Sequence, residues 1–357
     1  MKCGCIRHGN FEPMNDHKKI IVITSINEKS EGIGQFEMLE GWHVLVVADK
    51  KSKPMANTDN LTFLSCEEQL ELGYEYAGLC PWNHYARKNI GYLHAVRLGA
   101  RIIYDTDDDN LPYDQYWHEP EFRCSNRCEG TSNFVNIYSH FCDDLVWPRG
   151  LPLDEIHGRN VVREDSGMSA EIGVWQGLAD IDPDVDAIFR LLFEKEIRFQ
   201  RHKPVYLPEG TYCPFNSQNT FWHQSLFPLL YLPATVSIRG TDIYRGYIAQ
   251  RIMWQVGRCL GFMEATVYQE RNAHDLMRDF RDEVTSYCHI KELVEILNNA
   301  VLTGDIRAGI ETVYGSLQEK HFVEAGEIDL LRAWQADLDA VAREALKSGK
   351  SENTDDK

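Results

Sequence analysis

Between Lys19 and Asn110, strand-sized apolar runs alternate with helix-length segments, and the last run ends in a block of aspartates. KIIVITS (Lys19–Ser25), WHVLVVA (Trp42–Ala48, ending at Asp49) and NLTFL (Asn60–Leu64) read as strands. Cys66–Leu72 reads as a short helix with its charges outward. Asn83 is placed to cap a helix through Leu98, with Ala86, Ile90, Leu93 and Val96 as its apolar stripe and Gly99 as its stop. The strand ARIIYD follows. This alternation predicts a parallel sheet with right-handed crossovers, and in such sheets ligands bind beyond the carboxyl ends of the strands.

Further along, Pro112–Pro233 reads as irregular, with short strands and loops rich in Pro, Asn and aromatics. Asp242 opens a helix carrying Tyr244, Ile248, Ile252 and Val256 at intervals of four, which stops near Gly257–Gly261 before the strand-like GFMEATVY. From Asp275 to Lys347 the pattern is helical, and KSGKSENTDDK reads as a disordered tail. The expected organisation is an N-terminal extension (1–18), an α/β domain (19–270), a C-terminal helical region (271–347) and a tail (348–357).

Charge narrows the ligand classes. The 357 residues carry 55 acidic against 37 basic side chains, a formal charge of -18 that repels nucleic acid and anionic lipid. A phosphate ligand would need local positive charge from a few Arg or Lys or from a divalent cation. The greasiest run, Ile20–Ile26, is far short of a membrane span, and the start MKCGCIRHGNFEPMNDHKK lacks the apolar block of a signal peptide. As written, the chain is expected to be cytoplasmic, with no membrane span. The ten cysteines are scattered. Cys3 with Cys5, and Cys124 and Cys128 with Cys142, could bind zinc or pair as disulfides, but ordinary thiols explain them as well.

The sharpest chemical signal is ARIIYDTDDDN, which delivers Asp105, Asp107, Asp108 and Asp109 at a strand end. Four adjacent carboxylates are tolerable as a solvated turn and favourable around a hard cation; Mg²⁺ or Mn²⁺ takes one or two carboxylates, waters and the oxygens of a substrate diphosphate. Arg87, Lys88 and Asn89 lie on the preceding helix, either as a solvated face or as cations converging on the same sheet edge. Asp242 at a helix start is kept ionised by the dipole and serves equally as an N-cap. His274 reads as a surface histidine or a late metal ligand.

The run HYARKNIGYLHAVRLGARIIYDTDDDN resembles that of GT-A glycosyltransferases, a Rossmann-like nucleotide-sugar-binding α/β fold with a mixed central sheet and a metal-binding Asp-x-Asp. WPRGLPLDEI, DPDVDAIFRL, the NSQNT loop and RGTDIYRGYIAQRIMWQVG, in this order, are similar to the STELLO family of glycosyltransferase-like proteins from Lys19 to Val341. The family's plant members are Golgi proteins; this chain, as written, lacks their N-terminal anchor and carries a longer acidic run. The resemblance implies a GT-A-like domain over 19–270 and Mn²⁺ or Mg²⁺ held by Asp105, Asp107, Asp108 and His274. It places Thr24, Ser25 and Asp49 around the nucleoside. Arg87, Lys88 and Asp105 fall near the phosphates, and Asn216, Ser217, Asn219 and Trp222 on the acceptor side. The reaction implied is transfer from a nucleotide sugar of the UDP type to a glycan or other hydroxyl acceptor, with Asp242 as general base if configuration inverts. Asp182, Asp184 and Asp186 are the alternative bases. Two other readings stand beside it: a catalytically silent scaffold or carbohydrate-binding subunit, and a haloacid-dehalogenase-type phosphohydrolase, which Asp109 disfavours.

Overall fold

The computed structural model describes residues 19–164, 167, 169–270 and 275–351. The expected extension 1–18 with Cys3 and Cys5, and His274, lie outside the described residues. The first half runs β1 (Lys19–Ser25), α1 (Glu31–Glu37), β2 (His43–Ala48), β3 (Leu61–Leu64), α2 (Cys66–Glu71), α3 (Glu75–Leu79), α4 (Lys88–Arg97) and β4 (Ile102–Thr106). The middle comprises β5 (Asn110–Pro112), β6 (Arg123–Cys124), β7 (Arg127–Gly130), α5 (Tyr138–Phe141), β8 (Asn160–Arg163), β9 (Ala170–Ile181), α6 (Ala187–Leu192), β10 (Val205–Leu207) and β11 (Asn219–His223). Then follow α7 (Thr241–Met253), β12 (Cys259–Gln269), α8 (Leu276–Asn299), α9 (Ile306–Glu319) and α10 (Glu327–Ser351).

One mixed sheet orders these strands β3-β2-β1-β4-β11-β9-β12-β10-β7-β8. β3, β2, β1 and β4 are parallel, as the alternation predicts, and β11 lies antiparallel to β4. From β1 the chain goes outward to β2 and β3, then returns to place β4 on the other side, so the strand order switches between β1 and β4 and opens a crevice at their carboxyl ends.

β1 is covered on both faces. Ile20 and Val22 pack with Ile90 and Leu93 of α4, while Ile21 and Ile23 pack with Ile33 and Phe36 of α1. Each such fully buried aliphatic side chain contributes about 1.5–3 kcal/mol. α4 lies so close to the sheet that a Cβ on Gly91 would stand 2.6 Å from Val47 and 2.7 Å from Val22. Gly99, at φ +83, ends it as expected. The start differs from expectation: His84, not Asn83, caps a 3₁₀ turn over Tyr85–Arg87, and every residue of α4 from Lys88 to Val96 is buried. The helix is covered by α10 opposite the sheet, which gives it no solvated face.

The central reading missed β9. AEIGVWQGLADI dilutes its apolar residues with Glu171, Gln176 and two glycines, so no simple period appears, yet the twelve residues form the strand joining β11 to β12. The C-terminal pattern resolves into α8, α9 and α10, and α10 continues through Ser351, into the segment read as tail. Leu331, Trp334, Leu338 and Val341, one face of α10, join the same apolar cluster as β1 and α4. No helix among the described residues is long and apolar enough to cross a membrane. Cys124, Cys128 and Cys142 are buried free thiols, and among the described residues no group of three His, Cys, Asp or Glu is arranged to cage a metal, so the zinc and disulfide readings of these three are set aside.

Candidate active site

A cavity of about 540 Å³ opens at the crevice between β1 and β4. Thr24 and Ser25 at the end of β1 and Asp49 after β2 line one side. The Ser25 hydroxyl donates to Asp108 Oδ2 at 2.5 Å, tying the ends of β1 and β4 together. Asp49 accepts the backbone N–H groups of Asn83 (2.7 Å) and His84 (3.0 Å), and so pins the turn whose first residue sits at φ +55.

The acidic run divides in two. Asp105, the first aspartate, is fully buried and does not line the cavity: Lys88 Nζ stands 2.6 Å from Oδ1 and Arg245 Nη1 2.9 Å from Oδ2. The expectation that Asp105 ligates a metal or meets the phosphates is corrected accordingly, because both its oxygens are spent on cations beneath the cavity floor. Asp107, Asp108 and Asp109 do line it. Asp107 takes a hydrogen bond from the Tyr85 hydroxyl (2.8 Å) and the outer reach of Lys88 (3.5 Å) on Oδ1, and its Oδ2 has no partner among the described residues. Asp108 leaves Oδ1 likewise without one, while Oδ2 accepts from Ser25 and Asn27. Burial pushes the Asp107 carboxyl up to about 6 against the pull of Lys88, and burial with repulsion from Asp107 and Asp108 pushes Asp109 up to about 7. Asp107 and Asp108 thus each present one oxygen unengaged among the described residues, where no group of three His, Cys, Asp or Glu is arranged to hold a metal ion.

Of the two expected cations, Arg87 lines the cavity but is buried with its guanidinium engaged, and Lys88 does not line it. Arg87 spends its fork on Gln69 Oε1 and on the carbonyls of Ala77 and Cys80, with its guanidinium 3.6 Å from the Trp82 ring centre. Lys88 is wholly buried between Asp105, the Thr106 carbonyl and Tyr85. Their helix has no solvent side, so a pair of charges that looked like a surface became internal scaffolding.

The opposite wall comes from segments the sequence left irregular. Asn216 lines the cavity and donates to Asp184 at 2.7 Å. Ser217 is buried under Arg245, and Asn219 is sealed in the sheet among Tyr104, Leu178 and Thr266. Trp222 is core, with Arg245 5.1 Å from its ring. These three do not face an acceptor. Asp242 is in the first turn of α7, but the N-cap is Gly240, without a side-chain bond, so the capping role is corrected too. Its carboxylate is instead held by Arg149, Nη2 to Oδ2 at 3.0 Å, and the same guanidinium grips Asp184 at 2.7 and 2.8 Å. Of the other two alternative bases, Asp186 caps α6 and accepts from Trp147 Nε1, and Asp182 pairs with Arg190; neither lines the cavity.

Sequence reasoning passed over Arg149, Arg239, Gln218 and Gln269, all cavity residues. Gln269 donates to Asp109 at 2.7 Å and accepts from Gln218, which in turn accepts the N–H of Asp184, so an amide chain joins the acidic strand end to the opposite wall. Arg149 and Asp184 sit in WPRG and DPDVD, where a charge beside proline among apolar residues was the signal available.

Comparison with known proteins adds to this geometry. The family model of STELLO glycosyltransferases matches residues 239–355. Probable glycosyltransferase STELLO1 of Arabidopsis thaliana is 30% identical over 368 residues, covering 94% of this chain and 45% of its own length. Probable glycosyltransferase STELLO2 of the same plant is 31% identical over 303 residues, covering 78% of this chain and 39% of its own. The chain therefore spans less than half the length of these two relatives.

Proposed function

The chain belongs to the STELLO glycosyltransferase family, and from that premise we propose that it transfers a sugar from a nucleotide-sugar donor to a hydroxyl acceptor in the cavity at the β1/β4 switch point. The observation that carries the reading is the convergence there of Asp107 and Asp108, each with an oxygen unengaged among the described residues, with the ends of β1 and β2 that would frame a nucleoside. The parallel β3-β2-β1-β4 half followed by antiparallel β11 supports assignment to the GT-A type.

Asp107 and Asp108 would hold Mn²⁺ or Mg²⁺ together with the donor diphosphate. The cation supplies charge stabilisation to the departing nucleoside diphosphate when bound. Tyr85 and Lys88 fix Asp107 from below, and Ser25 fixes Asp108, so the two carboxylates are oriented before the ligand arrives. Across the cavity, Arg149 holds Asp242 in place, where its carboxylate would take the proton of an acceptor hydroxyl. Asp184 shares that guanidinium and the cavity wall, which makes it the second candidate. The haloacid-dehalogenase reading needs the first aspartate as a nucleophile, and Asp105 is sealed between Lys88 and Arg245.

Donor turnover decides the matter. UDP-sugar consumption, measured with Mn²⁺ and with chelator, should be metal-dependent in the wild type. Asp242→Asn should lower transfer by about 10²-fold or more at unchanged donor affinity. Full activity in that variant with loss in Asp184→Asn moves the base to Asp184. A wild type that binds UDP without turning over any donor is a scaffold.

A further inference from the structure

An acidic cavity that accepts a diphosphate needs cations on its wall; Lys88 does not line it, and Arg87, which does, has its fork engaged by Gln69, Ala77 and Cys80. Besides Arg87, the cavity is lined by the exposed Lys51 and by three more arginines, whose hydrogen bonds separate them. Arg149 commits Nε, Nη1 and Nη2 to Asp184, Asp242 and the Arg239 carbonyl. Arg190 places Nη1 on Asp182 and Nη2 on the Pro183 carbonyl, and its Nε is shut away from solvent. Arg239 differs. Its Nε and Nη2 donate to Glu283 Oε1, at 2.8 and 2.5 Å, while Nη1 has no partner among the described residues.

Glu283 is itself fully buried and does not line the cavity. It belongs to α8, where its Oε2 accepts the Ala187 N–H at the start of α6 (2.8 Å) and the Tyr287 hydroxyl. The carboxylate thus engages Nε and Nη2 of Arg239, a cavity-lining residue, and leaves Nη1 to a ligand. A second buried glutamate steadies the same segment: Glu327 of α10 accepts the Tyr231 hydroxyl and the N–H groups of Ala234 and Thr235. Residues 231–239 are therefore a rim tied at both ends by carboxylates of the C-terminal helices. The tie reaches further, because the Arg239 carbonyl is where Arg149 Nη1 lands.

We propose that Arg239 is the binding residue for the phosphate groups of the bound donor, and that Glu283 is the positioning residue that aims it. The inference rests on the nucleotide-sugar reading and deepens it. A fork half-anchored by a buried carboxylate loses little freedom when its remaining N–H groups meet a phosphate, which is why Arg suits this place better than a free Lys. The C-terminal helical region then belongs to donor recognition although no cavity residue lies on α8 or α10.

The test compares UDP with uridine, both in Mn²⁺, by calorimetry on the full chain. Arg239→Gln should weaken UDP tenfold or more and leave uridine within twofold; Arg239→Lys should recover part of the loss. Glu283→Gln should weaken UDP selectively and by less. In the Glu283→Gln, Arg239→Gln double variant the losses should not add, because the glutamate acts through the arginine. Melting temperatures identify any variant that has lost its fold, and Arg239→Lys keeps the test open if Gln at that position unfolds the rim. Wild-type binding of UDP with Arg239→Gln changing UDP and uridine equally, or neither, overturns this inference alone. A wild type that binds no nucleoside diphosphate in Mn²⁺ overturns the donor reading and this one with it.

Discussion

Asp105→Asn separates a buried scaffold from a metal ligand more sharply than any other single change. The aspartate is fully buried with two equally buried cations on it, Lys88 at 2.6 Å and Arg245 at 2.9 Å. Asn preserves the shape but removes the charge that Lys88 and Arg245 share, leaving Lys88 with only the more distant Asp107, at 3.5 Å. Removing one partner of a buried ion pair costs about 3–5 kcal/mol, since the remaining charge keeps its desolvation penalty. With about 2.1 cal/mol/K of unfolding entropy per residue, the 357-residue chain has roughly 0.75 kcal/mol/K, so the melting temperature should fall by about 4–7 °C. Asp107→Asn is the contrast. Burial already holds that carboxyl up at about 6, so neutralising it at pH 7.5 relieves a cost and should leave the melting temperature level or higher. Scanning calorimetry without metal and Mn²⁺ titration by electron paramagnetic resonance read the two effects apart. If Asp105→Asn melts like the wild type and loses Mn²⁺ affinity, the first aspartate is a ligand and the buried-pair argument is wrong.

Three further expectations follow from the same contacts. Asp107→Ala should abolish the Mn²⁺-dependent part of UDP binding, and equal UDP affinity in chelator and in Mn²⁺ for the wild type would refute the metal assignment. Arg87→Ala should cost at least about 2 kcal/mol of stability by stranding the Ala77 and Cys80 carbonyls, with UDP affinity within twofold; a large affinity loss at native melting temperature would return Arg87 to the phosphates. His94 is buried on α4, and burial lowers its folded pKa to about 4, with Arg97 and His43 adding to the effect. The unfolded chain binds the proton first, so stability is full above about pH 6.5 and falls by up to about 1.4 kcal/mol per pH unit as pH drops toward 4. His94→Gln should flatten urea-measured stability across that window, and an unchanged slope would show that another group sets it.

The apolar runs of β1 and β2 and the acidic run after β4 were legible because each is a local signal. A strand buried on both faces must be continuously apolar, and an aspartate block at its end must lie at a strand terminus whatever else the chain does. With the crossover rule, these place the cavity at the carboxyl edge of the sheet, and the observed parallel half agrees. β9 escaped because a strand assembled between two others takes its stability from neighbours distant in sequence, and its own pattern is interrupted by Glu171 and Gln176.

The roles of individual charges were decided by tertiary structure alone. Sequence spacing says that Arg87, Lys88 and Asp105 are near the acidic edge; whether they face the cavity or its foundation depends on α10 covering α4, from more than two hundred residues away. Desolvation then converts Lys88 and Asp105 into a mutual pair. Arg149 and Arg239 were invisible for the complementary reason: their carboxylate partners Asp184, Asp242 and Glu283 are 35, 93 and 44 residues distant, and only folding brings them within hydrogen-bond reach. Apolar periodicity is a property of a segment and survives in the sequence, whereas the effective charge of a side chain depends on burial and on its partners, and both are set by the packed chain.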